Sequence, residues 1–296
     1  MQHAHTARQA GPGDRTTLTF ELMPRDIVMP RYRLDIEYQG TRYSGWQIQK
    51  NARTIQGEIA AALQKLTLEK DFELYGAGRT DAGVHALMQV AHLQLRNSLP
   101  PEKLRRMIND ELPPDINILR IAQADPRFHA RHHAVARAYL YQISRRRTAF
   151  GKKLVWWIKD ELDVGRMRAA AALFVGMRDW QSFTEDDPEE KSTLVMVERI
   201  EIREAGDLIL VRVVGSHFLW KMVRRLVGIL AEVGRGALAA EEVSPLLKSR
   251  SGEPARFTAP PSGLFLERVY YPGEEQVELQ EPVLPVASVA GPKSRT

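Results

Sequence analysis

The stretch GAGRTDAGVHA, residues 76–86, gathers small residues around a single carboxylate, Asp81. The guanidinium of Arg79 lies two positions before it and the imidazole of His85 four positions after. Glycines at 76, 78 and 83 allow backbone shapes and close ligand approach that a side chain would obstruct. Such a loop can present Asp81 to a substrate. A neighbouring cation favours an ionised carboxylate, and Arg79 is placed to supply it. Spacing alone also describes a plain hairpin-like connection with an exposed Arg79/Asp81 pair of little energetic worth. Two nucleotide-binding readings fail. The loop lacks the lysine followed by serine or threonine of a P-loop, and the chain contains no G-x-G-x-x-G.

Charge gathers again between Arg127 and Lys153, where Arg127, Arg131, Arg137, Arg145, Arg146, Arg147, Lys152 and Lys153 occur with no acidic residue among them. A solvated loop is the ordinary use of such a run, while contact with phosphates is the functional one. Inside it, alternation puts Tyr139, Tyr141 and Ile143 on one face of a strand, which periodicity alone reads as core. His129, His132 and His133 have no thiolate companions and read as polar or backbone-contacting side chains, so no metal is expected. Arg224, in KMVRR, reads by itself as part of a solvated helix face, and Trp46 as packing.

These residues need a scaffold, and 296 residues with 44% hydrophobic side chains can bury a substantial core. The absence of cysteine excludes disulfides, thiolate metal sites and thiol nucleophiles. A net charge of +5 permits a polyanionic partner without proving one. No stretch approaches the roughly 18 apolar residues of a membrane span, and residues 1–28 lack a signal-peptide core, so a cytoplasmic protein is expected.

The pattern predicts strands at 31–38, 87–95, 116–122, 136–144, 153–159, 196–203, 207–214 and 263–271. Helices are predicted over 54–66, from Pro101, over 164–175 and over 217–233, the last burying Phe218 with Met222 and Leu226. The expected class is α+β: two similar halves, each a mostly antiparallel sheet with helices on one face, the other face free for a ligand and a cleft between the halves. The boundaries are a disordered extension over 1–30, an N-terminal half with the loop over 31–132, a C-terminal half over 133–271 and a flexible tail over 272–296.

GAGRTDAGVHA resembles the signature of the tRNA pseudouridine synthase A family. Its companions agree in order: YQGTRYSGWQ (38–47), RTIQGEIAAAL (53–63), INDELPPDI (108–116), FHARHHAVARAYLYQI (128–143), FLWKMVRRLVG (218–228) and SGLFLERVYY (262–271). The resemblance implies an isomerase that converts uridine to pseudouridine in the anticodon stem-loop of tRNAs, at positions 38 to 40, without a cofactor. It implies Asp81 as the nucleophile, with proton removal from the ribose through a glycal as the rival account. Arg79 is implied to pair with Asp81, Arg224 to stand near the active site, and Tyr139 to pack against the target uracil. It further implies a homodimer. Arg131, Arg137, Arg145, Arg146, Arg147, Lys152 and Lys153 are then the expected contacts to the tRNA backbone. The acidic WQSFTEDDPEEKST (180–193) departs from the family's pattern and puts RNA contacts there in question. The competing readings are a catalytically silent RNA-binding protein, and a hydrolase in which His85 activates water beside Asp81.

Overall fold

A computed structural model describes residues 29–283 apart from 68–70, 188, 190, 191, 249 and 280. The expected extension up to residue 28, and the tail beyond 283, lie outside the described residues.

Alternation makes the strands. RYRLDIEY buries Tyr32, Leu34, Ile36 and Tyr38 on one face and forms β1 (Arg31–Tyr38). It runs antiparallel to both β3 (His85–Gln94) and β4 (Ile116–Gln123). A short β2 (Glu73–Gly76) pairs with β3 and leads into the glycine-rich loop. Farther along the chain, β5 (Ala136–Ser144), β9 (Leu208–Gly215), β8 (Leu194–Ala205) and β7 (Gly176–Asp179) lie side by side in antiparallel order. The last strand, β10 (Leu264–Tyr270), is parallel to β3 and antiparallel to β5, so it joins the two runs. Among the described residues this makes one continuous ten-stranded sheet, mostly antiparallel. KLVWWIK is less of a strand than expected. The chain turns at Gly151, whose carbonyl accepts from Leu154 N–H, and the strand is confined to β6 (Trp156–Trp157), parallel to β5.

Helices cover one face. Ile55, Ile59 and Leu63 of α1 (Ile55–Thr67), and Leu104 and Ile108 of α2 (Pro101–Glu111), are buried, with proline in the first turn of α2. Asp163 caps α3 (Val164–Ala172) by accepting from Arg166 N–H. The next helix, α4 (Met222–Arg235), buries most of its length, and α5 (Ala240–Lys248) packs against α3. These apolar residues share one core with Tyr139, Tyr141 and Ile143 of β5. No helix among the described residues is long and apolar enough to cross a membrane.

Two expectations are corrected. The long helix begins at Met222, not His217, because Lys221 adopts a left-handed backbone with φ of 63° and turns the chain. The opposite sheet face is not free for a ligand. It carries Leu140, Leu208, Leu210 and Phe265, closed over by Val155 and by Leu279 from the stretch expected to be flexible tail. Val283 N–H donates to Gln142 Oε1 at 2.8 Å, so Leu279 and Val283 pack against the sheet while residues 272–276, 278 and 281 are exposed. The open cleft lies on the helix-bearing face, where the two runs of strands meet.

Candidate active site

The loop after β2 is held from several sides. Ala77 N–H donates to Val90 O (2.7 Å), Gln89 Nε2 to Gly78 O (2.8 Å), and Trp46 N–H to Thr80 O (3.1 Å). Tyr38 and Thr80 share a buried hydroxyl bond of 2.8 Å, and Val84 N–H returns to Asp81 O. Trp46 is buried against Gly76, where a Cβ would come within 2.6 Å of the indole; this is why glycine is required there. Thus YQGTRYSGWQ buttresses the loop, and the Trp46 packing role stands. Arg137 adds a second brace. Its buried guanidinium donates to Ala77 O, Arg131 O, Ala134 O and Ser216 O.

Asp81 opens into a cleft of about 760 Å³ lined by the loop, by Tyr139 and Leu264 of the sheet, and by residues 217–224. Its side chain is 22% exposed and its partner Arg224 14%. Arg224 Nη1 donates to Asp81 Oδ2 at 3.3 Å, while its Nε donates to Ala259 O at 2.7 Å. That second bond fixes the guanidinium, and Asp81 Oδ1 has no protein donor among the described residues. Burial pushes the Asp81 carboxyl up; the charge and hydrogen bond of Arg224, then Lys221, work against that shift without cancelling it.

Tyr139 lies beside the carboxylate. Burial first, then the negative charge of Asp81, raise its phenol, so it stays protonated. Its hydroxyl has no hydrogen-bond partner among the described residues. Phe218 meets its ring edge-on, with centroids 5.2 Å apart and planes at 85°. The arrangement offers a carboxyl oxygen without a protein partner among the described residues, a fixed cation and an aromatic floor with room for a planar ring.

Most expected residues are here, in altered relations. Asp81, Arg79, Arg224 and Tyr139 all line the cleft. The ion pair expected of Arg79 belongs to Arg224; Arg79 is exposed on the wall and makes no bond to Asp81. Of the expected backbone contacts, Arg131 is exposed on the wall, whereas Arg137 spends its donors on carbonyls and is a brace. Arg145 and Arg146 are paired with Glu204 and Asp207 of the β8–β9 hairpin. Arg147 lies over the Trp157 ring. Neither these three nor the exposed Lys152 and Lys153 line the cleft. His85 is unsuited to activate water. Buried, it accepts from Gly40 N–H at Nδ1 and contacts Lys153 O at Nε2, and burial pushes its imidazole down to about 4. His129 Nδ1 accepts from the N–H groups of Arg131 and His132, a backbone-contacting use as expected.

Phe218 and Trp220 were not legible as site residues because the helical reading placed Phe218 in the core. The signal was present in FLW: two large aromatics two positions apart, an extended period ahead of the helix. The acidic run also has a use. Glu185 binds Lys221 and Arg225, and Asp186 Oδ2 accepts from Trp220 N–H.

A family model described as tRNA pseudouridine synthase matches residues 36–133 and 170–272. The chain is 41% identical over 249 residues to a tRNA pseudouridine synthase A of Mesorhizobium japonicum, covering 82% of this chain and all of that one. It is 38% identical over 246 residues to a tRNA pseudouridine synthase A 2 of Bacillus anthracis, again 82% and 100% covered. With a tRNA pseudouridine synthase A of Agrobacterium fabrum it shares 38% over 249 residues, covering 82% and 93%. Among solved structures, a chain of an archaeal box H/ACA sRNP complex matches at a TM-score of 0.34 with 13% identity, over 80% of this chain and 60% of that one. That likeness is too slight to argue from.

Proposed function

Since the chain belongs to the tRNA pseudouridine synthase family, we propose that its cleft takes a uridine extruded from the anticodon stem-loop of tRNA, at positions 38 to 40, and isomerises it to pseudouridine with Asp81 as the reacting carboxylate. The enzyme is an isomerase. The N1–C1′ bond breaks, the base turns, a C5–C1′ bond forms, and the proton lost from C5 is balanced by one gained at N1. Nothing is oxidised and no atom is added, so the reaction needs no cofactor.

The observation that carries the reading is the unpartnered oxygen of Asp81 facing an aromatic floor. Arg224 holds the other oxygen and favours the charged form. In one account Asp81 attacks as the nucleophile; in the other it takes a ribose proton and a glycal forms. Tyr139 stacks on the extruded base and replaces the neighbours it has lost, a gain of about 1 to 3 kcal/mol per base. Arg79 and Arg131, both exposed on the wall, meet the flanking phosphates. The reading extends to a homodimer in the cytoplasm, and to residues 31–132 and 133–271 as two halves bridged by β10.

Replacing Asp81 with asparagine tests it. The variant is expected to keep most of its tRNA affinity and to lose tritium release from C5-labelled uridine. Appreciable turnover by Asp81→Asn would overturn the assignment.

A further inference from the structure

The exposed side chain of Trp220 has no role in the chemistry just described, and it is costly to leave in water. It is 47% exposed at the mouth of the cleft, two residues beyond Phe218 on the segment that leads into α4. Phe218 lies inward against Tyr139; Leu219 between them is buried, so the segment places one aromatic on the floor and one on the rim.

The rim residue is fixed rather than loose. Its backbone N–H donates to Asp186 Oδ2 at 3.1 Å. Lys221 Nζ sits over one face of the indole, 4.6 Å from the ring centroid, and is itself gripped by both oxygens of Glu185 at 3.0 and 2.8 Å. The left-handed backbone of Lys221 turns the chain immediately afterwards into α4. The two acids that hold this corner come from the run 180–193, the segment where the chain departs from the family's pattern. An indole held this way, with one face occupied by a cation and half its surface open, is a stacking platform.

We infer that Trp220 is a substrate-positioning residue that stacks on the nucleobase adjacent to the target uridine, holding the strand open while the target occupies the cleft. The inference rests on the proposed RNA substrate. Extrusion leaves the adjacent base with one stacking face uncovered, and an aromatic ring at the mouth covers it for any base, because every base has a π-face. Recognition of this kind is indifferent to the identity of the neighbour.

The test is binding of a synthetic anticodon stem-loop hairpin to the full-length protein, followed by anisotropy. Two further hairpins each carry an abasic site, on the 5′ or the 3′ side of the target. Trp220→Ala and Trp220→Leu are expected to weaken binding of the intact hairpin about tenfold, while Trp220→Phe stays close to wild type. One of the two abasic hairpins should bind wild type and Trp220→Ala equally. Binding of the intact hairpin by Trp220→Leu within twofold of wild type overturns the inference, and so does an undiminished loss on both abasic hairpins. Tritium release by the wild-type protein is scored separately. Its absence would sink the isomerase reading, whereas turnover with no base-dependent effect of Trp220 sinks only this one.

Discussion

Arg224 Nη1 stands 3.3 Å from Asp81 Oδ2 across 143 positions of sequence, and it is the cation nearest the carboxylate in charge and in contact. Two effects oppose each other at this pair: removal from water disfavours the ionised acid, and the guanidinium favours it. Burial wins by the net direction, so the acid ionises above its ordinary value. Arg224→Gln therefore shifts the balance further towards the protonated acid. The acidic limb of the kcat/KM profile is expected to move to higher pH, and kcat at neutral pH to fall roughly 10²-fold. Tritium release across a pH series measures both. An acidic limb that stays in place would remove Arg224 from the ionisation of Asp81.

The same raised carboxyl links stability to pH. Between its unfolded value and its higher folded value, the native state holds more proton than the unfolded chain, so the contribution of Asp81 to stability is present in acid and is lost as pH rises through that window. Asp81→Asn does not titrate. Its melting temperature relative to wild type is expected to improve from about pH 3.9 upwards. Thermal melts at paired pH values decide the point, and a relative stability that falls with rising pH would contradict it.

Gly76 and Gly78 differ in kind although they share one loop. A Cβ at Gly76 meets the Trp46 indole at 2.6 Å, whereas a Cβ at Gly78, a residue of the cleft lining, meets nothing within 4 Å. Gly76→Ala is expected to cost about 1 to 3 kcal/mol of stability through overpacking. Gly78→Ala should melt like wild type and raise KM for tRNA, because its methyl occupies space where the substrate backbone approaches. Denaturant titration and steady-state kinetics on both variants separate the effects; a stable Gly76→Ala, or an unchanged KM for Gly78→Ala, would refute the respective half.

How far the sequence could be read depended on whether a property was local. RYRLDIEY and ARAYLYQIS alternate in sequence between apolar or aromatic and other residues, so β1 and β5 were visible to the residue, although β5 is buried along its whole length. Asp81 was visible because its loop is built from adjacent residues. The start of α4 was not, since the chain turns there through a left-handed backbone at Lys221, whose side chain is held by Glu185, 36 positions earlier, and no periodicity reports either. The Asp81 partner was misassigned for a related reason: Arg79 is near in sequence, but the fold aims Arg224 at the carboxylate and leaves Arg79 on the wall. The basic run misled in the same way, because Glu204 and Asp207 reach it only once β5 and β9 are paired.

That pairing separates cations left exposed at the cleft from cations already compensated within the fold. Arg131 is exposed at the cleft wall; its described bonds are made by its backbone, with N–H donating to His129 Nδ1 and the carbonyl accepting from Arg137. Arg145 lies at the far end of β5, with Nη2 2.5 Å from Glu204 Oε2. Neutralising a phosphate releases counterions, so each true contact adds to the steepness with which affinity falls as salt rises. Arg131→Ala is expected to weaken tRNA binding at low salt and to flatten the slope of log K against log salt by about 0.7 to 0.9. Arg145→Ala should leave that slope unchanged, since its charge is already compensated within the protein. Binding isotherms from 50 to 200 mM salt measure the two side by side. Equal slopes for wild type and Arg131→Ala would move the phosphate track away from this wall, and a flattened slope for Arg145→Ala would carry it to the opposite end of the strand.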